Sequence, residues 1–356
     1  MNNFRGIYST GELAGAVALY RAGQWFGGKR LDCAGFSGVA VATHHRGTGA
    51  CKRLLQSTLH ELHREGTPLA SLYASTQNLY RTVGFEQSGN MMHYSIPTPA
   101  MTTGDRALPA HRFTESSPQL LVALNYANER RARNSNGLLD RTDGLWDRLF
   151  DPHTGVGTTT YLFGDVDRPE GYAILKKSTR ASGFPQPLVA TDCCASTPAA
   201  MKRLIALVYD HRSVCDRFEF SGRHNDPLVL FASEQNLSVP KYTRWMNRIV
   251  DIQSALQQRG YPADVCGELH LCIEDETIPE NAGRWVLTLN SGTSFVRRGG
   301  DGALKMSVQT LAPVFTSYSS ASEFMDAGLI KATDSSQVML ANQAFAGPSP
   351  WMVELF

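Results

Sequence analysis

The residues best equipped for chemistry are Arg46-Gly47-Thr48-Gly49, set between an apolar strand and the start of an amphipathic helix. The first N–H groups of a helix have no internal partners, and the helix dipole places partial positive charge beside them. Gly47 and Gly49 keep side chains away so that phosphate oxygens can approach the backbone, and Arg46 adds a cation. The same residues suit a tight strand-to-helix turn with a solvent-facing arginine, and loop chemistry alone leaves both readings open. A dinucleotide fingerprint is excluded: Lys52 stands in place of its third glycine, and Ala74 and Ser75 where the next strand should end in an acid. A P-loop is excluded because no Gly-Lys-Ser/Thr follows at its spacing. Coenzyme A survives among the diphosphate carriers. Other constellations carry less. His60-Glu61-Leu62-His63 is one residue short of a zinc-protease helix motif and reads as an exposed helix face. Cys193-Cys194, and His211 with Cys215, lack metal-ligand spacing, and Ser37 lacks the spacing of a nucleophile elbow. No metal site is expected.

The elements that must position the loop follow from periodicity. Residues 12–22 and 30–42 read as strands around Gly27-Gly28, the second uniformly small and apolar at Val39-Ala40-Val41-Ala42. From about Ala50 to Arg64, Cys51, Leu54, Leu55, Leu59 and Leu62 form a stripe at helical spacing, and Gly66 caps its end. Leu69–Ala74 reads as a strand, Thr76–Val83 as a short helix stopped by Gly84, and Met91–Ile96 as a further strand. After a proline-marked linker come a helix (Pro118–Arg133), a hairpin (Thr160–Val166, Gly171–Ser178), a strand (Leu188–Cys193), a helix (Thr197–His211) and a strand (Arg217–Phe220). Hairpin, strand, helix, strand repeats the first order, without an Arg-x-x-Gly before its helix, so the second copy is not expected to hold a diphosphate. The remainder reads as α+β. A helix is expected at Ile252–Arg259, strands at Val265–Glu274, Arg284–Leu289, Ser294–Arg298 and Ala303–Val308, and helices at Val308–Tyr318, Ser320–Ala327 and Ser335–Phe345.

Bulk properties bound the function. At 356 residues the chain suits two or three domains. A formal charge of +1 excludes a dedicated nucleic-acid binder, and no apolar run approaches the ~20 residues that span a bilayer. Seven cysteines at irregular spacing, with no secretory pattern in the opening residues, point to reduced thiols and a cytoplasmic protein.

Val39-Ala40-Val41-Ala42, then Arg46-Gly47-Thr48-Gly49-Ala50-Cys51 and Leu54-Leu55, are similar to the cofactor motif of the GCN5-related N-acetyltransferases (GNAT). Leu79-Tyr80-Arg81-Thr82-Val83-Gly84-Phe85 resembles the segment that carries their general acid. The order of parts narrows the resemblance to the Eis (enhanced intracellular survival) subfamily, and it covers essentially all of the chain. It implies an α+β protein: a GNAT fold over residues 1–98, shortened at its N-terminus, a linker over 99–110, a degenerate GNAT-like unit over 111–235, and a sterol-carrier-protein-like domain with a catalytic tail over 236–356. Relative to the family the chain begins late, so either its start lies upstream or the acceptor pocket is more open.

The resemblance implies acetyl transfer from acetyl-CoA, by direct attack, to an amine of a small molecule or a lysine side chain. Its cofactor contacts map to Val39, Ala40, Val41, Arg46, Gly47, Thr48, Gly49, Ala50, Cys51 and Ser75, although Ser75 equally suits a helix N-cap. Tyr80 maps to the general acid that protonates the departing thiolate, with a partly buried helix aromatic as the alternative. The Phe356 carboxylate maps to the base. The apolar end Trp351-Met352-Val353-Glu354-Leu355-Phe356 gains by docking, and a partly dry site raises a carboxylate's proton affinity. Alternatively that tail only packs on its own domain. Glu354 is a candidate for binding a cationic acceptor. The family tends to form hexamers, which implies a homo-oligomer. Two other functions stay open: a truncated, non-catalytic acyl-CoA-binding protein, and apolar-ligand binding by the C-terminal domain.

Overall fold

A computed structural model describes residues 3–102, 104–150, 157–177, 183–233 and 235–354. It divides into two compact units, one of residues 1–89, 135–139 and 244–356, the other of 90–134 and 140–243. The first begins with β1 (Phe4–Ser9), β2 (Glu12–Phe26) and β3 (Lys29–Val41) as an antiparallel meander. Gly27 and Gly28 make the tight turn between β2 and β3, with φ of +59° and +80°. Helix α1 (Ala50–Arg64) then carries the chain to β4 (Leu69–Leu72), parallel to β3. Its expected stripe is the buried one: Leu54, Leu55, Leu59 and Leu62 pack with Leu19, Phe36 and Phe85, while Cys51 is half-buried at the edge. Gly66, at φ +72°, closes the helix as expected.

Helix α2 (Gln77–Arg81) is shorter than the spacing predicts, because residues 82–84 turn back and Phe85 N–H returns to the Tyr80 carbonyl. Its N-cap is Thr76, not Ser75, and no side chain caps it. Strand β5 (Glu86–Pro97) leads into the second unit.

That unit continues through β6 (Ala110–Phe113), α3 (Pro118–Arg133), α4 (Asp143–Phe150), β8 (Thr158–Phe163), β9 (Gly171–Lys177), β10 (Gln186–Ala195), α5 (Pro198–Asp210) and β11 (Cys215–Gly222), with the short β7 (Leu139–Asp140) at the point where the chain re-enters it from the first unit. Its strands run in the order β5-β11-β10-β9-β8-β6, with the expected hairpin at β8 and β9. Besides β6 and β7, two further pieces were not anticipated. Helix α4 opens on Asp143-Gly144, which reads as a turn, and β12 (Ser238–Ile249) starts with five exposed residues around Pro240.

The C-terminal part comprises α6 (Ile252–Gln258), β13 (Gly267–Glu274), β14 (Gly283–Asn290), β15 (Thr293–Arg298), β16 (Leu304–Ser307), α7 (Val308–Phe315), α8 (Ala321–Asp326), β17 (Lys331–Ala332) and α9 (Ser335–Ala344). Its sheet order is β15-β14-β13-β16-β17, and only the two-residue β17 lacks a counterpart in the sequence pattern. Leu269, Leu271 and Ile273 alternate inward on β13 as expected.

Within the first unit three devices join the early and late segments. Met246–Ile249 of β12 pair antiparallel with β4. Arg248, fully buried, donates from Nη2 to both oxygens of Asp275 at 2.8 and 2.7 Å and from Nε to the Val83 carbonyl. The third is steric. A Cβ on Gly27 would lie 2.0 Å from the Gly260 carbonyl oxygen, and one on Gly260 1.9 Å from that of Gly27.

Candidate functional site

Three pieces of the first unit meet around the end of β3. The first is the strand itself. It carries a bulge, since Ala18 opposes Ser37 and Ala16 opposes Ala40, so Val17 faces two residues, one of them Gly38 at φ +59°. Pairing with β4 covers only Cys33, Ala34 and Gly35. Beyond Gly35, β3 has no strand partner on that side among the described residues. Ala42 N–H donates to the Ala14 carbonyl, so by alternation the N–H of Val41 points away from β2, and that of Val39 shares its direction. Val39 and Val41 are half-buried and Ala40 is exposed.

The second piece is the loop. A single 3₁₀ turn, Thr43–His45, precedes Arg46, and Gly47 and Gly49 take φ of +78° and +77°, where a side chain would be strained. A Cβ at Gly47 would meet nothing within 4 Å. Gly49 is the N-cap of α1, so no side chain caps that helix, and its first turn holds no acid. Thr48 Oγ1 donates to the His45 carbonyl and Arg53 Nη1 to the Thr48 carbonyl, which fixes the loop's shape. Arg46 is exposed, and its guanidinium has no partner among the described residues. An open glycine cradle, bare helix amides and an unengaged cation fit a diphosphate.

Tyr80 supplies the third piece. It is buried, its ring edge-on to Phe85 at 6.0 Å, and Phe85 in turn meets Phe36 of β3 at 5.6 Å. Burial raises its phenol above the ordinary value, and the charge of a Cys51 thiolate raises it further. Cys51, in the first turn of α1, packs against the buried cluster that holds Tyr80. No described group hydrogen-bonds its hydroxyl, so the proton is free for another acceptor. Burial likewise raises the Cys51 thiol.

The C-terminal tail arrives at the same end of β4. Trp351 N–H donates to the Asn136 carbonyl, Met352 is fully buried, and its carbonyl accepts from Tyr73 Oη at 2.6 Å. Burial pushes the Tyr73 phenol well up, with help from the Glu354 charge. Glu354 itself is only 6% exposed. Phe356 lies outside the described residues. Ser75 is exposed, one residue ahead of the α2 N-cap.

Sequence reasoning missed the groups that hold this tail. Gln24, fully buried in β2, accepts from Ser71 Oγ and Cys33 Sγ and donates to the Gly137 carbonyl and the Met352 sulfur. Asn136 accepts from Gly27 N–H and donates to Ser317 Oγ and the Pro348 carbonyl. A lone amide within the apolar run of β2 was the available signal for Gln24, whereas nothing local marks Asn136 or Tyr73. The His60–His63 segment is less exposed than expected. Glu61 pairs with Arg5, and His63 Nδ1 lies 2.9 Å from the Val250 carbonyl. All seven cysteines are free.

Helix α5 of the second unit starts differently. Thr197 Oγ1 accepts from Ala200 N–H, and Pro198 at the first position has no N–H to offer.

Comparison with known proteins identifies the fold. Residues 1–88 and 137–249 match family models described as acetyltransferase (GNAT) domains, and residues 252–353 one described as a sterol carrier protein domain. A crystal structure of a GCN5-related N-acetyltransferase from Anabaena variabilis superposes with a TM-score of 0.93 at 34% identity, covering 99% of this chain and 90% of that one. An uncharacterized N-acetyltransferase of Streptomyces coelicolor is 27% identical over 345 residues, 92% of this chain and 81% of the relative. N-acetyltransferase Eis of Mycobacterium tuberculosis is 25% identical over 344 residues, 90% of this chain and 79% of the relative.

Proposed function

The chain belongs to the GCN5-related N-acetyltransferases, in the Eis-like group with a sterol-carrier-protein-like C-terminal domain, and from that premise we propose how its residues share the work. The protein is an acetyl-CoA-dependent N-acetyltransferase, and its co-substrate supplies an activated acetyl thioester. The single observation that carries the assignment of residues is the uncapped, glycine-led start of α1 beside an unpartnered strand edge. In this proposal the amides of Gly47, Thr48, Gly49, Ala50 and Cys51 hold the diphosphate with Arg46. The edge from Val39 through Ala40 to Val41 receives the pantetheine and polarises the thioester carbonyl. Ser75, exposed and not engaged as a cap, contacts the same cofactor. Tyr80 donates its proton to the leaving thiolate as the C–S bond breaks.

The attacking amine loses its proton to the carboxylate of Phe356, delivered by a tail anchored at Met352. The four residues beyond Met352 reach up to about 13 Å when extended. Glu354, buried next to Tyr73, is the proposed contact for a cationic acceptor. We extend the proposal to the division of roles over 1–98, 111–235 and 236–356, to homo-hexameric assembly by likeness to the family, and to a cytoplasmic setting supported by free thiols. No described helix is long and apolar enough to cross a membrane.

The test is thiol release from acetyl-CoA with a panel of polyamines, aminoglycosides and lysine peptides. Tyr80→Phe is expected to lower kcat by ~10²-fold, the scale of a lost general acid. Acetyl-CoA affinity should stay near its starting value. Undiminished turnover would remove Tyr80 from the role. Appending one alanine after Phe356 displaces the proposed base and is expected to lower kcat similarly; full activity in that variant assigns the base elsewhere.

A further inference from the structure

Glu12 opens β2, and His44 and His45 lie in the turn just ahead of the diphosphate loop. Their donor atoms converge. Glu12 Oε2 lies 3.4 Å from His44 Nε2 and 4.0 Å from His45 Nε2, and one donor atom from each of the three residues falls within 4.8 Å of the other two. Among the described residues it is the one such meeting of histidine, cysteine and carboxylate side chains. We propose that these three side chains bind a divalent transition-metal cation of the zinc class, with water completing the shell.

The geometry suits that ion. Bonds of about 2.0–2.1 Å in a tetrahedron place neighbouring donors roughly 3.3–3.4 Å apart. One pair already stands at that separation, and the others need only modest closure. The exposed partners have room to supply it: the Glu12 and His44 side chains are 71% and 66% exposed, while that of His45 is only 12% exposed. His45 Nε2 is shielded from solvent and has no hydrogen-bond partner, an imidazole nitrogen left without an occupant for its donor or lone pair. Two imidazoles and one carboxylate favour zinc, cobalt, nickel or copper over magnesium or calcium, which prefer all-oxygen shells. Arg46, the next residue, repels a cation, so a moderate affinity is expected.

The consequence rests on the reading of Arg46–Cys51 as the diphosphate cradle. His45 accepts from Thr48 through its carbonyl, so an ion fixed on its ring adds positive charge beside that loop and restrains it. Metal and coenzyme A then tighten each other's binding by one common factor.

The test uses the full chain without an affinity tag. Co2+ titration is followed by the visible ligand-field band of a low-symmetry, nitrogen-containing site, and Zn2+ titration by calorimetry, both without coenzyme A. Saturation at one cation per chain, weakened at least ~10-fold in Glu12→Gln and His45→Ala, supports the site; even loss of an outer-shell partner carries that scale. His60→Gln should bind as the parent does. Glu12 and His44 are exposed, so unchanged melting of Glu12→Gln and His44→Ala keeps a negative result meaningful. Titration without saturation, or binding that survives both Glu12→Gln and His45→Ala, overturns the proposal. Coenzyme A is titrated separately. Its failure to bind speaks against the cradle, while the metal result stands on its own readout.

Discussion

Tyr73 shows how one hydroxyl can govern a tail. Its donation to the Met352 carbonyl holds the tail four residues ahead of Phe356. Tyr73→Phe leaves that carbonyl without its donor, a loss of about 1–3 kcal/mol in tail docking. Turnover should fall by up to about 10- to 100-fold, as the docking constant drops by the factor that such an energy implies, with acetyl-CoA affinity unchanged. Steady-state kinetics checks this, and in a chain lacking Phe356 the same substitution should cost nothing further. Tyr80 makes a pH prediction. A general acid works while protonated, and burial together with Cys51 raises its phenol above 10.0. The alkaline limb of kcat should therefore lie above pH 10, so a limb near neutrality would count against Tyr80 as the acid. Tyr73 was not legible in the sequence, because its partner Met352 lies hundreds of residues away, and Gln24 left only the mark of a lone amide in an apolar run. The loop Arg46–Gly49 was legible because its partners are its own neighbours.

Two helix starts carry opposite chemistry on related folds. Helix α1 opens on Gly49 with no side-chain cap, whereas α5 satisfies its own amides with Thr197 and begins on a proline. Gly49→Ala forces a side chain to φ +77° and brings a Cβ within 3.2 Å of Arg53 Nη1. The strain should cost about 1–2 kcal/mol, and calorimetry should show coenzyme A affinity falling with it. Thr197→Ala should cost about 1 kcal/mol of stability as a lost cap and leave that affinity untouched. The missing Arg-x-x-Gly before α5 was visible in the sequence, and the self-capped start gives it a physical form. Periodicity found α1, α3, β13 and the β8–β9 hairpin because each buries one face locally. It missed β12, whose exposed first half shows no alternation and whose buried end, Met246–Ile249, acquires its partner β4 only in the fold.

Taken whole, the first unit is built from three stretches of chain, and its late stretch completes the early one. Arg248 and Asp275 are the charged part of that closure. Burial lowers the guanidinium's proton affinity, and the facing carboxylate opposes the shift. Asp275→Ala strands a buried cation and should destabilise the protein by about 3–5 kcal/mol, read from chemical denaturation of the full chain. A value within experimental scatter of the parent would mean that water reaches the pair. The sequence could not reveal this closure, since no local pattern records which arginine meets which aspartate. The glycine-to-glycine approach of residues 27 and 260 has an evolutionary corollary. With under 2.1 Å for a side chain on either face, neither hairpin tip nor its distant neighbour can drift alone. A chimaera that exchanges either stretch must keep glycine at both places for the early and late segments to close on each other.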